Sequence, residues 1–247
     1  MIDTHAHLTS LEEPDEAVRR ATEAGVTRIL TVGTNVDDCR RALSLAESHE
    51  GVFAILGIHP HDAGTATGDD LAALRELLAH PKAVAVGETG LDWFRDYAPR
   101  DDQRRLFAAE LELAAELGKP VVIHTRAADD DTLAALADHA GTVVLHCFSS
   151  AHMLPTALEQ GWYVSFAGNA TFPKAVDLRL AATEVPAERI LAETDSPYLA
   201  PQPVRGKRNE PANVVHTLSA LAQARGEEPA ELERAIERNA TECFGLP

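Results

Sequence analysis

Short apolar runs recur along the chain at intervals of about 27 residues and alternate with amphipathic segments. An interval of this length accommodates one strand, one loop and one crossover helix, the repeating unit of a parallel sheet. Eight such units in 247 residues predict an α/β fold, a single (β/α)8 TIM barrel that occupies residues 1–247 as one domain. The predicted strands end near His7, Gly33, His59, Glu88, His124, His146, Ala167 and Asp195.

Helical patterns fill the intervals between these strands. Pro14 suits the first turn of a helix, and Gly25 and Gly118 are typical of the position after the last turn. The predicted helices span residues 14–24, 38–48, 69–79, 101–117, 130–139, 152–160, 174–183, 211–225 and 229–238.

Five of the predicted strand ends, those of the first, fourth, fifth, sixth and eighth strands, carry the side chains that we predict to bind metals. Because the carboxyl ends of the strands meet at one mouth of a parallel barrel, residues far apart in sequence are predicted to become neighbours there. Six such ligands suffice for two divalent metal ions, an arrangement that favours hydrolysis. The predicted ligands are His5, His7, Glu88, His124, His146 and Asp195.

His5 and His7 are two residues apart, so on one strand both imidazoles face the same side and can bind one ion. Asp195 would complete the shell of that ion and would orient a water molecule or take a proton from it. The structural alternatives are histidines that are hydrogen-bonded inside the barrel and an aspartate that caps the turn at Ser196 and Pro197.

Glu88 offers two oxygens that can bridge two ions. His124 and His146 each follow an apolar triplet and are expected to bind the second ion. Arg126, two residues after His124, is expected on the same side of the strand, where it could hold a phosphate oxygen. A salt bridge on a loop is the alternative for Arg126, and Asp92 fits either a residue that orients a ligand or a turn cap.

Other residues are candidates for substrate binding at the rim. His59 and His61, after the third strand, are expected to contact phosphate or to transfer a proton. The basic residues Arg205, Lys207 and Arg208 follow the eighth strand and suit a phosphate-bearing substrate, although a solvated charge run is the alternative.

Three aromatic residues, Trp93, Phe94 and Tyr97, lie shortly after Glu88 in the sequence. They are candidates for base stacking, since a nucleobase packs on any exposed aromatic face. Packing beneath a loop is the alternative for all three.

The composition limits the location and the partners of the protein. With 22 basic and 39 acidic residues the net charge is −17, which argues against loose electrostatic adhesion to nucleic acid or to an anionic membrane. No apolar run approaches the roughly 18 residues of a membrane span, and the three cysteines lack a C-x-x-C spacing, which favours reduced, buried thiols. We expect a cytoplasmic protein with no obligate protein partner.

Taken together, the motifs resemble the TatD family of metal-dependent deoxyribonucleases. The resemblance implies a TIM barrel that hydrolyses phosphodiester bonds, typically as a 3′ to 5′ exonuclease on DNA, with Mg²⁺, Mn²⁺ or Zn²⁺. The six predicted ligands match the metal positions of the family residue by residue. The matching strings run in order from residue 2 to residue 246: IDTHAHL, GIHPH, GETGLDW, VIHTR, LHCFS, SFAGNATF, ETDSPYLAP with RGKRNEP, and NATECFGL.

The expected mechanism is in-line attack on phosphorus by a water that two metal ions activate. Arg126, with Arg205, would stabilise charge on the phosphoryl oxygens. One alternative is a two-metal amidohydrolase or esterase that cleaves a C–N or C–O bond of a small or tRNA-linked substrate. A second is a binding protein that uses the metal structurally. The basic loop, and the absence of lysine from the AVAVGE run, favour a phosphate substrate.

Overall fold

Eight parallel strands form one sheet, and they follow each other in it in chain order. The computed structural model describes residues 1–247, and it confirms the nearly closed (β/α)8 barrel that the sequence predicts. The strands are β1 (Ile2–Ala6), β2 (Arg28–Gly33), β3 (Val52–Leu56), β4 (Ala83–Asp92), β5 (Val121–Arg126), β6 (Val143–Leu145), β7 (Tyr163–Phe166) and β8 (Ile190–Ala192).

Nine α-helices connect and follow the strands, in the intervals where the sequence predicts them. They are α1 (Pro14–Glu23), α2 (Val36–Ser48), α3 (Gly68–Leu78), α4 (Arg100–Leu117), α5 (Asp129–Leu136), α6 (Leu154–Glu159), α7 (Val176–Glu184), α8 (Val214–Arg225) and α9 (Pro229–Phe244).

Some helix ends differ from the prediction for local reasons. Helix α2 begins at Val36 because the side chain of Asn35 accepts a hydrogen bond from the Asp38 N–H and so caps the helix. Helix α9 continues to Phe244, six residues past its predicted end, and stops where Gly245 takes a left-handed conformation with φ 60°.

The strand ends also differ from the prediction. Strand β4 continues beyond Glu88, and β5 continues beyond His124, because the two strands stay paired up to Asp92 and Arg126. His59 and Asp195 instead lie on the loops that follow β3 and β8.

Contacts within the chain divide it into two compact units, which we call the first unit (residues 1–31 and 146–247) and the second unit (residues 32–145). In the first unit β1 pairs in parallel with the start of β2, and β7 pairs with β8. The fully buried side chains here include Ile2, Leu30 and Phe166. Burial of such apolar surface is the main stabilising contribution to this core.

The second unit contains the consecutive parallel pairs of β3, β4, β5 and β6. Its core includes Ile55, Leu78, Phe107 and Ile123, all nearly inaccessible to solvent. Glu110 of α4 is also fully buried there, which is unusual for a carboxyl group.

The helices and cysteines agree in part with the expectations from composition. No helix combines the length and the apolar character needed to cross a membrane. None of the three cysteines is in a disulfide bond, and Cys39 and Cys243 are buried. The expected burial is wrong for Cys147, which is partly accessible because it lies in the turn after β6 with φ 45°.

Candidate metal centre

Four side chains of the types that bind metals lie close together in the first unit. We call them the first cluster, which consists of His5, His7, His146 and Asp195. One potential ligand atom from each of His5, His146 and Asp195 lies within 4.8 Å of the others. The rings of His5 and His146 are stacked with their centroids 3.9 Å apart. His7 contributes Nε2 at 3.4 Å from Oδ1 of Asp195. All four are predicted ligands, and the first unit brings them together.

Backbone contacts hold the loop after β8 against the end of β1. The Asp195 N–H donates to the His5 carbonyl (2.9 Å), and the His7 N–H donates to the Ser196 carbonyl (2.7 Å). The ring centroids of His5 and His7 are 5.1 Å apart, as expected for neighbours on one side of a strand end. Asp195 itself has φ 54°, a left-handed conformation that is uncommon for a residue with a side chain.

The buried carboxyl group of Asp3 also supports this loop. It accepts hydrogen bonds from the N–H of Thr194 (2.8 Å) and from its hydroxyl (2.6 Å). Burial raises the pKa of Asp3 to about 8, although these hydrogen bonds favour the ionised form.

Glu193 orients His146. Its Oε1 lies 2.9 Å from Nδ1 of His146 and accepts the N–H of Cys147 at the same distance, while Oε2 accepts the Ser165 hydroxyl at 2.5 Å. A carboxylate on one ring nitrogen leaves the other nitrogen available to a metal ion. The sequence prediction did not include Glu193 among the site residues. The sequence nevertheless contains a signal for Glu193, because it lies two residues before Asp195 and follows the same apolar run.

Asp195 is suited to binding a cation. Burial alone would raise the pKa of Asp195, but the hydrogen bond with His7 and the nearby His146 and His5 hold it below its usual value. The group is therefore a carboxylate at neutral pH, the form that binds metals.

Five side chains of the second unit form what we call the second cluster, which consists of His59, His61, Glu88, Asp92 and His124. One potential ligand atom from each of His59, Glu88 and His124 lies within 4.8 Å of the others. Oε1 of Glu88 is 2.6 Å from Nδ1 of His124 and 3.4 Å from Nε2 of His59. The structure thus places His59, which the sequence predicts to contact phosphate or to transfer a proton, among potential metal ligands.

The backbone of β4 explains how Glu88 reaches His124. The register of the β4–β5 pair shifts between Gly87 and Thr89, so Glu88 occupies a bulge, a feature that redirects a side chain. Gly90 faces His124 across the pair with φ 138°, and a Cβ atom there would overlap the His124 carbonyl oxygen. Only glycine allows this close approach of the two backbones.

Asp92 links the histidines of the second cluster to the following turn. Its Oδ2 lies 2.8 Å from Nε2 of His61 and 3.3 Å from Nε2 of His124. Its Oδ1 accepts the N–H groups of Phe94 (2.9 Å) and Arg95 (2.8 Å). Asp92 therefore makes the contacts expected of both alternatives that the sequence left open, because it hydrogen-bonds two histidine rings and also caps a turn.

The electrostatics of the second cluster favour metal binding. Burial alone would raise the pKa of Asp92, but the hydrogen bonds from His124, Arg95 and His61 hold it below its usual range. Burial lowers the pKa of His59 to about 4 in spite of the nearby Glu88. His59 is therefore a neutral imidazole at pH 7, with a lone pair for a metal ion.

The predicted substrate-binding residues divide between the units. In the second unit, exposed Arg126 ends β5, and its guanidinium lies 4.0 Å from the centroid of the Phe94 ring. In the first unit, the guanidinium of Arg205 lies over the Phe172 ring, also at 4.0 Å. Arg208 donates to the Ser10 carbonyl, and Lys207 is exposed.

Both clusters fit a divalent cation. Each combines imidazole nitrogens with carboxylate oxygens, the donor set of zinc and manganese sites. A (β/α)8 barrel whose strand ends carry such clusters has the architecture of a metal-dependent hydrolase.

The comparisons with known proteins identify the family. Residues 2–245 match the TatD-related DNase family, and the chain belongs to it. A metal-dependent hydrolase TatD of Mycobacterium tuberculosis is 39% identical over 100% of this chain and 99% of its own. The 3′-5′ ssDNA/RNA exonuclease TatD of Erwinia billingiae is 38% identical, with all of both chains covered. The crystal structure of YJJV, a TatD homologue of Escherichia coli, superposes with a TM-score of 0.93 at 30% identity over 100% of this chain and 98% of that one. The predicted family and the predicted enzyme class are confirmed.

Proposed function

We propose that this protein hydrolyses phosphodiester bonds of single-stranded DNA from the 3′ end, using two divalent metal ions. The observation that carries the proposal is the pair of imidazole and carboxylate clusters in a chain of the TatD family. The Erwinia billingiae relative, named as an exonuclease of single-stranded DNA and RNA, supports the choice of substrate.

In this proposal one ion is held by His5, His7 and Asp195. His124 and His146 would hold the second, and Glu88, which has two carboxylate oxygens, would be a ligand shared by both ions. The basis for combining residues of both clusters is the general rule that all strands of a (β/α)8 barrel open at one face. Mg²⁺, Mn²⁺ and Zn²⁺ all remain candidates, since imidazoles favour the latter two and carboxylates with phosphate suit magnesium.

When bound, the two ions would lower the pKa of a shared water and offset charge on the phosphoryl oxygens. Asp195, ionised at neutral pH, would orient the attacking water and accept its proton. Arg126 donates to the phosphoryl oxygens with its planar guanidinium, and Arg205 assists. His61 and the basic residues Lys207 and Arg208 contact the phosphates of the strand, and neutral His59 lies where it can contact phosphate or a metal ion.

A cytoplasmic location and a single domain over residues 1–247 are also part of the proposal. The alternative of an amidohydrolase or esterase is not favoured by the relatives. Structures of deacetylases and deaminases align at 12–15% identity, which shows only a shared fold.

The test uses purified protein with each of the three metals and an end-labelled single-stranded oligonucleotide. We expect metal-dependent release of nucleotides from the 3′ end, loss of activity with a chelator, and no cleavage of a panel of amides and lactones. His216, on α8, is a matched control: His216→Ala should cleave like the wild type, whereas His124→Ala should not. Cleavage of amides or lactones in preference to phosphodiesters would contradict the proposal.

A further inference from the structure

Exposed aromatic rings occur only beside the two clusters. The large apolar side chains with exposed surface are Phe94, Tyr97, Val176, Leu180 and Tyr198. Three of these are aromatic. The rings of two of them contact site histidines: Tyr97 lies 4.7 Å from His61 and Tyr198 lies 5.8 Å from His7, measured between centroids.

Phe94 and Tyr97 follow β4 within one short segment of the second unit. They are 62% and 66% exposed, although an aromatic ring of this size normally contributes to a core or an interface. Neighbouring Trp93 differs, because its indole N–H donates to Asp131 (2.8 Å) and Arg100 and Arg104 lie over its ring. The three aromatic residues thus separate into one that packs and two that face solvent.

The segment is fixed to the second cluster through one carboxylate. Asp92 accepts the N–H groups of Phe94 and Arg95 with Oδ1 and contacts His61 and His124 with Oδ2. The position of Phe94 is therefore coupled to that of His124, a proposed metal ligand.

Local charge is also suited to a polyanion, in contrast to the charge of the whole chain. The guanidinium of Arg126 lies 4.0 Å from the Phe94 ring centroid, and that of Arg95 lies at 5.9 Å. Neither Arg95 nor Arg126 takes part in an ion pair, whereas Arg104 pairs with Asp101 and Asp131. Two arginines without acidic partners beside exposed rings offer donors for phosphates next to a stacking surface.

We propose that Phe94 and Tyr97, together with Arg126, form a subsite that stacks an unpaired nucleobase next to the second cluster. The inference rests on the proposed function and deepens it, because it names the part of the substrate that this surface recognises. A base stacks on such rings only when it is unpaired, so the subsite selects single strands. Stacking uses the π-face that all bases share, so it adds little preference for sequence.

The test measures binding without turnover, in chelator, with a short single strand that carries 2-aminopurine at successive positions from its 3′ end. Stacking on an aromatic ring quenches 2-aminopurine fluorescence. We expect the wild type to quench at one position and Phe94→Leu to lose the quenching and bind about 5- to 150-fold more weakly, the range for one stacked base. Leu180→Ala is the matched control, because Leu180 is 56% exposed on α7, and it should bind like the wild type.

A strand with an abasic site at the quenched position separates stacking from a general loss of fold. The wild type should bind it as weakly as Phe94→Leu binds the intact strand, and Phe94→Leu should lose little more. Equal binding of intact and abasic strands by the wild type would contradict the subsite. Unchanged quenching in both Phe94→Leu and Tyr97→Ala would also contradict it, and would mean that these rings do not stack a base of the strand.

Hydrolysis assays of the wild type distinguish a failure of the proposed function from a failure of the stacking subsite. A wild type that cleaves neither the oligonucleotide nor bis(4-nitrophenyl) phosphate with any of the three metals would contradict the proposed function. A wild type that cleaves both, but shows no base-dependent binding, would contradict only the stacking subsite.

Discussion

The histidines of the first cluster are less exposed to solvent than those of the second cluster. His5, His7 and His146 are each 7% exposed or less. In the second cluster the side chains of His124 and His61 are 17% and 29% exposed. The environments of the two clusters therefore differ, although both consist of imidazoles and carboxylates.

The carboxylates in and next to the two clusters also make different contacts. In the first unit, Glu193 is a buried carboxylate that orients His146 and is not one of the predicted ligands. In the second unit, Glu88 contacts two histidines and Asp92 contacts two, so each of these carboxylates is shared. In the proposed function, the less exposed first cluster would hold a cation firmly, and the more exposed second cluster would combine cation binding with access for the substrate.

The largest expected effect tests whether both clusters are needed. Glu88→Ala in the second unit and Asp195→Ala in the first should each reduce phosphodiester hydrolysis by at least about 1,000-fold, because each removes a proposed ligand and several kcal/mol of transition-state stabilisation. The measurement is the rate of bis(4-nitrophenyl) phosphate hydrolysis with saturating metal. Near wild-type turnover in Glu88→Ala would refute the two-metal assignment and leave the first cluster as the only centre.

The second prediction concerns the stability of the second unit. Glu110 accepts hydrogen bonds from the Ile58 N–H (2.7 Å) and the Thr89 hydroxyl (2.6 Å), next to His59 and Glu88 in the sequence. Burial raises the pKa of Glu110 to about 8, although both hydrogen bonds favour the ionised form. The folded state therefore keeps a proton that the unfolded chain releases near its ordinary pKa of 4.5.

The stabilisation by protonated Glu110 is complete below pH 4.5 and is lost as the pH rises to about 8. Between pH 4.5 and about 8, the free energy of unfolding of the wild type should therefore fall by a few kcal/mol more than that of Glu110→Gln. The size follows from ~1.4 kcal/mol per unit of pKa shift. Urea unfolding at several pH values measures the difference. Glu112→Gln, an exposed change on the same helix, is the control and should follow the wild type. Parallel pH profiles for the wild type and Glu110→Gln would show that Glu110 is ionised in the folded protein.

The third prediction compares the carboxylates that orient histidines. Glu193→Gln in the first unit and Asp92→Asn in the second should each weaken metal binding by about 10- to 100-fold, the usual effect of removing such support. Titration calorimetry with Mn²⁺ measures both. Asp92→Asn should also weaken binding of a single strand in chelator, because Asp92 holds the Phe94 turn, whereas Glu193→Gln should not. If Glu193→Gln and Asp92→Asn weakened strand binding equally, the second cluster would have no special part in binding the strand.

The smallest expected effect concerns the basic loop of the first unit. Replacing Arg205, Lys207 and Arg208 together by alanine should weaken single-strand binding a few-fold. The slope of log K for binding against log salt concentration should become shallower by about 0.7 for each phosphate that is no longer neutralised. Arg208 should contribute least, since it lies 3.7 Å from Glu12 and already donates to Ser10. Phe94→Leu should leave the salt slope unchanged, because stacking releases no counterions. An unchanged slope in the triple variant would show that the loop does not contact the phosphates of the strand and is only a solvated surface.

Much of the fold could be predicted because each element has a local signal. The apolar runs, Pro14, Gly118 and the spacing of about 27 residues all act over short distances, and they predict eight strands with helices between them. The six candidate ligands were visible for the same reason, since each ends or follows an apolar run. The extension of β4 to Asp92 was not visible, because it depends on pairing with β5.

The sequence alone determined the fold class, the family and the residue types that a metal site needs, because these depend on local pattern and motif order. The tertiary structure decided the contacts: Glu193 on His146, Asp92 between His61 and the Phe94 turn, and Glu88 redirected by a bulge. It also separated Trp93, which packs, from Phe94, which is exposed. In the sequence, neighbouring aromatic residues such as Trp93 and Phe94 give no signal that tells a packed ring from an exposed one. The difference depends on which residues the folded chain places against each ring.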